Sequence, residues 1–245
     1  WDSQYHLEAK PMEECRLDPD RMVPYEIEPT LRHANGEAVL MLGSARMVGC
    51  KARWDCSLGK VNSDASAVSV VFTDHLGRLY WHRSVALTGD LEEFGPDGKT
   101  LVGGQVKQLI DLLKPLAVPQ IVIETNGPGG FVPAIARKHL KKHGIAVRED
   151  FATTNKQKRI LDAFEPPLSS GFLWAHTSVL DGPTYGQMRD FNPAIKDQPD
   201  DYIDAGAGAI ADTPVRVGRS VGNPTHQATD DWRPSAGVPE VEFEA

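Results

Sequence analysis

The sequence predicts an α/β fold, in which a mixed β-sheet, an antiparallel meander followed by parallel strands, is flanked by helices. Three segments rich in valine or aromatic residues follow one another between residues 50 and 86, joined by short turns, which is typical of a meander. After residue 103, helical and strand patterns alternate, which indicates parallel pairing. The chain has 245 residues, 40% hydrophobic and 24% charged, which is enough for one large globular domain.

The meander occupies the first part of this region. Residues 50–56 predict a first strand that ends at Asp55, and residues 66–73 predict a valine-rich second strand. Residues 74–77, with the sequence DHLG, predict a hairpin turn. Residues 78–86 predict the third strand.

The parallel half alternates helices with strands. Residues 103–114 carry apolar side chains at helical spacing, and residues 131–143 predict a second amphipathic helix that Gly144 caps. Residues 120–124 are almost continuously apolar, which is typical of a central strand. Residues 145–149 predict the next strand.

Four further elements are predicted towards the carboxyl end. Residues 155–164 predict a helix with Asn155 as its N-cap. Residues 171–176 predict a short strand. Residues 184–192 and 200–211 predict two more helices, the second of which is built mainly from small residues.

The two ends of the chain lack such periodicity. Prolines and scattered charges break any helical pattern in residues 1–45, and we expect an extended arm that packs on a main domain of residues 46–212. Within the arm, residues 38–43 predict either a strand or an entry into the core. Residues 213–245 are rich in glycine, proline and polar residues, so we expect a flexible, acidic tail.

Charge and cysteine content narrow the class of protein. The formal net charge of −8 argues against a protein that holds nucleic acid through charge alone, but not against a nuclease with metal-binding carboxylates. Cys15, Cys50 and Cys56 have no zinc-type spacing and predict reduced thiols in a cytosolic setting. No apolar run approaches the roughly twenty residues of a membrane span, so no membrane partner is expected.

Acidic residues stand at three informative points. Asp55 ends the first strand, and Glu124 ends a buried strand just before a glycine-rich loop. A carboxylate there is costly to bury alone, and a cation is one way to stabilise it. Asp201 and Asp204 share one face of a predicted first helical turn, where the helix dipole favours negative charge. Each also fits a plain structural role, as a turn aspartate, an exposed strand end or a helix cap.

Taken together, these carboxylates indicate a reaction class. Several carboxylate oxygens in one place suit the hard cations Mg²⁺ and Mn²⁺. Two such ions roughly 3.5–4 Å apart can activate a water and stabilise the leaving oxygen of a phosphodiester. Histidines at zinc spacing with cysteines and a serine nucleophile elbow are both missing from the sequence. We therefore expect metal-assisted phosphodiester hydrolysis.

Four motifs occur in an order that indicates a protein family. They are WDCSLGK with SDAS at residues 54–66, IVIETNGPGG at 121–130, NKQKRI at 155–160 and DDYIDA at 200–205. Over about residues 50–212 they resemble the nuclease domain of the large terminase subunit of tailed bacteriophages. That domain belongs to the ribonuclease-H-like superfamily, which also holds Holliday-junction resolvases. The resemblance implies a ribonuclease-H-like sheet and an Mg²⁺- or Mn²⁺-dependent endonuclease that cuts concatemeric double-stranded viral DNA with two metal ions.

The resemblance also implies which residues form the site. The family's first aspartate falls on Asp55, and its strand-end acidic residue falls on Glu124. The late acidic pair falls on Asp201 and Asp204, with Asp200 as an alternative or outer ligand. These carboxylates are the predicted catalytic and metal-binding groups.

A basic motif of the family falls on Lys156, Lys158 and Arg159. The resemblance implies that these side chains contact the DNA phosphate backbone. The alternative is structural, because the solvent-exposed face of a helix commonly carries lysine and arginine without binding DNA.

The arm and the partners follow from the same resemblance. Residues 1–45 resemble the segment that joins the family's ATPase domain to its nuclease domain, and the sequence opens at Trp1, as a fragment would. Residues 95–100, GPDGKT, end like a phosphate-binding loop, but their glycines are too close together, so no ATPase activity is expected. Implied partners are double-stranded DNA, the small terminase subunit, the portal protein and the ATPase domain of a full-length chain. The implied location is the host cell cytoplasm during virion assembly.

Two alternatives stay open from sequence alone. A Holliday-junction resolvase-like or transposase-like nuclease would use the same residues on another substrate. A non-catalytic module that docks on DNA or on the portal would carry a decayed site, and the acidic net charge gives this alternative some weight.

Overall fold

The structure, a computed structural model, describes residues 17–34, 37–57, 66–125, 130–151, 155–195 and 197–217. The strands in these ranges are β1 (Val23–Tyr25), β2 (Pro29–Ala34), β3 (Glu37–Leu42), β4 (Ala45–Asp55), β5 (Ser66–Asp74), β6 (Leu79–Leu87), β7 (Glu93–Phe94), β8 (Leu101–Gly103), β9 (Gln120–Glu124), β10 (Ala146–Asp150), β11 (Leu173–His176) and β12 (Val215–Arg216). The α-helices are α1 (Gly104–Leu113), α2 (Val132–Leu140), α3 (Lys156–Ser169), α4 (Thr177–Leu180), α5 (Pro183–Asp190) and α6 (Asp201–Ala211). Short 3₁₀ turns lie at Pro19–Arg21 and Lys141–His143.

Most of the strands form a single mixed sheet. Its main path runs β1-β11-β6-β5-β4-β3-β2, while β7 and β8 pair separately. β4, β5 and β6 form the antiparallel meander. β9 pairs in parallel with the carboxyl half of β4, and β10 pairs in parallel with β9. The predicted α/β fold, with a meander followed by parallel strands, is therefore confirmed.

Helices cover both faces of the sheet. On one face, Trp54 of β4 belongs to a buried cluster with Leu109 of α1. On the other face, Trp81 of β6 packs with Phe164 of α3 and Ile203 of α6. Within the described ranges, no helix combines the length and the apolar character that a membrane crossing requires.

The sheet extends into both predicted end segments. β2 pairs with β3, β3 pairs with the start of β4, and β1 pairs in parallel with β11. The described part of residues 1–45 thus packs on the sheet, and residues 38–43 contribute a strand. At the other end, β12 pairs with β4. Residues 1–16 and 218–245 lie outside the described residues, so the division into arm, domain and tail stays a prediction.

Two helices differ from their predicted form. The helix predicted over residues 184–192 is α5, which starts at Pro183, and it is preceded by a separate short helix, α4, that was not predicted. Proline suits the first turn, where its missing N–H has no helical partner to lose. α3 continues through Pro166 and Pro167, and the buried side chain of Leu168 holds its last turn against the core.

Candidate metal centre

The register of β4 and β9 sets Asp55 next to Glu124. Arg53 is the neighbour of Val122 across this parallel pair. Two residues further along each strand, Asp55 and Glu124 end β4 and β9. Adjacent strands lie about 4.8 Å apart, and residues two apart share a face. The two predicted carboxylates therefore sit side by side at the carboxyl edge of the sheet, where ligand sites of α/β sheets occur.

A third strand-end carboxylate lies beside them. Asp150, the last residue of β10, is the neighbour of Glu124 in the parallel register. Its carboxylate accepts a hydrogen bond from Nη1 of Arg53 at 2.8 Å, and its backbone carbonyl accepts one from the Thr125 hydroxyl at 3.0 Å. Asp150 was not among the predicted site residues, because the predicted strand ended at residue 149. Extending the predicted strand by one residue would have placed Asp150 at its end, opposite Glu124 on the neighbouring parallel strand.

Helix α6 brings the late aspartates to the same edge. Its small residues allow a very close approach to the sheet, because a Cβ on Gly206 would collide with the Trp81 ring. A Cβ on Gly208 would collide with the Arg53 side chain in the same way. Asp204, in the first turn, is thereby buried to 4% exposure.

Electrostatics connect these carboxylates. Burial, then the charges of Asp204 and Glu124, raise the pKa of Asp55 to about 7, with Lys156 opposing them and Asp201 adding a smaller increase. Geometry agrees with this, because the Arg159 guanidinium contacts both Asp204 and Glu124, and the register of β4 and β9 sets Asp55 beside Glu124. The structure therefore brings Asp55, Glu124 and Asp204 together, with Asp201 less closely coupled to Asp55.

Cations of α3 already engage this acidic cluster. Arg159 bonds Asp204 at 2.6 Å and approaches Glu124 at 3.4 Å. Lys156 bonds Asp200 at 2.6 Å and lies 3.4 Å from Asp204. These ammonium and guanidinium groups supply positive charge among carboxylates that repel one another.

The start of α3 explains why its basic residues point in different directions. Asn155 caps the helix by accepting a hydrogen bond from the backbone N–H of Lys158. Lys156 faces the cluster, where burial lowers its pKa but Asp204 and Asp200 outweigh that effect and raise it above the usual lysine value. The Lys158 side chain is exposed. Of the three cations predicted to contact DNA, two thus lie among the acidic residues.

The donor set fits hard divalent cations by its chemistry. Asp55, Glu124 and Asp204 offer only carboxylate oxygens, which Mg²⁺ and Mn²⁺ prefer. In the ranges that the structure describes, however, no group of three or more His, Cys, Asp or Glu side chains is arranged to hold a metal ion. The α3 cations stand among the carboxylates instead, with Arg159 bonded to Oδ1 of Asp204 and Lys156 3.4 Å from Oδ2.

Two predicted features of the site fall outside the described residues. The glycine-rich loop after Glu124 covers residues 126–129, and the segment after Asp55 covers residues 58–65.

Comparisons with known proteins bear on the fold and the family. Residues 58–173 match the family model described as "Terminase Bacteriophage T7, Ribonuclease H-like domain". The nuclease domain of the P22 large terminase is similar in structure, with 12% identity, a TM-score of 0.50, and coverage of 79% of this chain and 89% of that one. No curated protein sequence matches the chain.

Two further solved structures show weaker likeness. The nuclease domain of the large terminase subunit of the bacterial virus Sf6 is 8% identical, with a TM-score of 0.47, and the match covers 67% of this chain and 89% of that one. The yeast mitochondrial Holliday junction resolvase is 11% identical, with a TM-score of 0.36, and the match covers 68% of this chain and 77% of that one.

The chain therefore has a ribonuclease-H-like fold, with acidic residues at the carboxyl ends of its central strands. More particularly, the resemblance to the terminase nuclease domain is confirmed by the family match over residues 58–173. That segment contains Glu124 and the α3 cations. It does not contain Asp55 or the aspartates of α6, whose place in the site rests on the geometry described above.

Proposed function

We propose that this chain is a divalent-metal-dependent endonuclease, the nuclease domain of a terminase that cuts concatemeric double-stranded viral DNA. The observation that carries the proposal is the meeting of Asp55, Glu124 and Asp204 at one edge of a ribonuclease-H-like sheet. The family match and the fold support it, because both lead to terminase nuclease domains.

The chain's own residues would divide the work as follows. Asp55 is influenced by both of the other carboxylates and would be shared by two metal ions, while Glu124 and Asp204 would each complete the ligands of one ion. Asp201 and Asp200 would serve as supplementary or outer ligands. Bound Mg²⁺ or Mn²⁺ would supply the activation of water and the stabilisation of the leaving oxygen.

The α3 cations would then turn to the substrate. Arg159 is only 15% exposed and spans Glu124 and Asp204. Once metal charge compensates those carboxylates, its guanidinium and the Lys156 ammonium become available to phosphate oxygens, which Arg binds through two parallel hydrogen bonds. Lys158, already exposed, would contact the backbone further along the duplex.

A cleavage assay tests the proposed function. The parent chain is expected to nick plasmid DNA with Mn²⁺ or Mg²⁺ and to be inactive with EDTA. Asp55→Asn keeps the shape of the side chain but removes its charge, so cleavage should fall to background. Asp111→Asn, an exposed aspartate on α1, is the matched control and should cut like the parent. Equal cleavage by Asp55→Asn and the parent would show that the site is elsewhere.

One observation favours a second candidate, a non-catalytic docking module. The acidic residues are already compensated by cations of α3. Titration calorimetry separates the two candidates, because a metal-dependent nuclease must bind Mn²⁺, whereas a folded chain that binds none would be a binding module.

A resolvase-like enzyme is distinguished by its substrate. When linear duplex and a four-way junction are both offered in the cleavage assay, preference for the junction would favour a resolvase-like enzyme.

The same proposal covers the partners and the setting. Double-stranded DNA is the substrate, and the small terminase subunit, the portal protein and an ATPase domain would deliver it. The reaction would take place in the host cell cytoplasm during virion assembly. Co-purification of the chain with a portal protein measures the portal interaction directly. If an active nuclease does not co-purify with the portal protein, double-stranded DNA remains as its partner and the portal protein does not.

A further inference from the structure

Arg53 is a buried cation that the proposed reaction does not use. It lies on β4 two residues before Asp55, so both side chains project from the same face of the strand. Its side chain is 3% exposed and runs beneath α6, where Gly208 leaves the room it needs. A helix residue with any side chain would collide with it at that point.

The guanidinium group of Arg53 joins the ends of two neighbouring strands. Nη2 donates to Oε2 of Glu124 at 2.6 Å, and Nη1 donates to Oδ2 of Asp150 at 2.8 Å. Nη1 also lies 3.7 Å from Asp212, just beyond the end of α6. Because a guanidinium is planar and presents its donors in a fixed fork, these two bonds fix the positions of the Glu124 and Asp150 carboxylates relative to one another.

Stability alone is a poor explanation for this arrangement. An apolar side chain of similar volume often stabilises a protein interior as well as or better than a buried ion pair. The surroundings are built for the cation, since α6 carries glycine where Arg53 passes and three acidic residues from separate segments converge on it. Such outer partners are known to orient metal ligands and to raise metal affinity.

We propose that Arg53 is a positioning residue, which holds Glu124 through Oε2 so that its other oxygen, Oε1, is presented to a metal ion. The inference rests on the proposed nuclease function, and it gives Asp150 a role as the second anchor of Arg53. Arg53 differs in this from Arg159, which is more exposed, bonds Asp204, and lies 3.4 Å from Oε2 and 3.5 Å from Oε1 of Glu124. Arg159 competes with a metal ion, whereas Arg53 prepares the site for one.

Mn²⁺ binding by titration calorimetry tests the role of Arg53 in the full 245-residue chain. Arg53→Met is expected to weaken Mn²⁺ binding by about 10-fold or more, the usual effect of removing a partner that orients a metal ligand. Arg53→Lys keeps the charge without the fork and should lie between the parent and Arg53→Met. In plasmid cleavage, kcat should fall while KM for DNA stays constant, because the buried Arg53 does not reach the duplex.

The matched control is Arg78→Met. Arg78 pairs with the buried Asp74 at 2.7 Å at the other end of the sheet, so its loss removes a comparable ion pair away from the site. Its Mn²⁺ affinity should equal that of the parent, and thermal denaturation verifies folding of every variant. If Arg53→Met does not fold, Arg53→Lys alone decides the question by the same affinity measurement.

The outcomes separate this inference from the proposed function. Parent-like or tighter Mn²⁺ binding by the folded Arg53 variants, with a parent that binds and cuts, would overturn only the positioning role. A parent that neither binds Mn²⁺ nor cuts DNA would overturn the proposed function, and the role of Arg53 with it.

Discussion

At the residue scale, the chemical properties of Asp55 depend on the side chains that the fold places around it. By itself it is a strand-end aspartate, but burial and the carboxylates of Asp204 and Glu124 raise its pKa to about 7. Asp204 acts on Asp55 more strongly than Asp201 does. The sequence did not show which of the late aspartates binds metal. The larger effect of Asp204 on the pKa of Asp55 favours Asp204 as the metal ligand.

The two late aspartates should therefore respond differently to the same substitution. Asp204→Asn is expected to reduce Mn²⁺-dependent cleavage to near background, because its carboxylate is buried beside Asp55. Asp201→Asn should retain substantial activity, since its side chain is more exposed and less closely coupled to Asp55. Single-turnover cleavage rates measure the difference, and the reverse order would make Asp201 the ligand.

At the element scale, α6 depends on its small residues. The smaller the side chains of a helix at a packing contact, the closer its backbone can approach the neighbouring element. Gly206 lies against the Trp81 ring, and Gly208 lies against Arg53. The run of small residues in the sequence thus serves to bring Asp204 down to the strand ends.

Gly206→Ala should destabilise the protein although alanine is the better helix former. The added methyl group meets the rigid Trp81 ring, and overpacking of this kind costs about 1–3 kcal/mol. Gly186→Ala is the control, because α5 leaves open space around that position, and it should raise the free energy of unfolding by about 0.4–1 kcal/mol. Urea denaturation measures both, and an unchanged or higher stability of Gly206→Ala would mean that α6 can shift at little cost.

At the scale of the whole molecule, the amino-terminal strands are part of the sheet. β1 docks beside β11, and Tyr25 bonds the fully buried His82 of β6 at 3.0 Å. Glu28 approaches His82 at 3.2 Å and His176 at 3.5 Å, and Arg83 bonds Glu28 at 2.6 Å. This polar cluster fastens the described part of the arm to the domain.

The cluster makes stability depend on pH. Burial, with a contribution from the charge of Arg83, lowers the pKa of His82 to about 3. Between about pH 6.5 and about pH 3 the unfolded chain binds a proton that the folded chain does not, so stability falls as the pH falls, by at most about 1.4 kcal/mol per pH unit. Glu28 acts in the same direction, because Arg83 lowers its pKa even though burial opposes the change.

His82→Gln removes one titrating group and should reduce this pH dependence between pH 4.5 and 6.5. His176 keeps part of the slope, because burial lowers its pKa as well. His75→Gln, in the exposed turn after β5, is the control and should keep the slope of the parent. Chemical denaturation across the pH range gives the free energies. A slope equal to the parent's in His82→Gln would assign the dependence to other groups.

Local patterns in the sequence were enough to predict the main elements. Valine-rich runs, helical apolar spacing and the caps at Asn155 and Gly144 act over a few residues, and β5, β9 and α2 lie where they predict them. The identity of the acidic residues was also readable, since a carboxylate at the end of an apolar strand stands out. The short helix α4 was not predicted, because four residues are too few to show a helical apolar period.

The sequence by itself determined the order of elements, the family resemblance and the acidic residues that could form a site. Only the tertiary structure decided which of them meet. The register of β4, β9 and β10 added Asp150, and the approach of α6 favoured Asp204 over Asp201. The roles of Arg53 and Arg159 as partners of those carboxylates likewise depend on contacts between residues far apart in sequence, which local patterns do not specify.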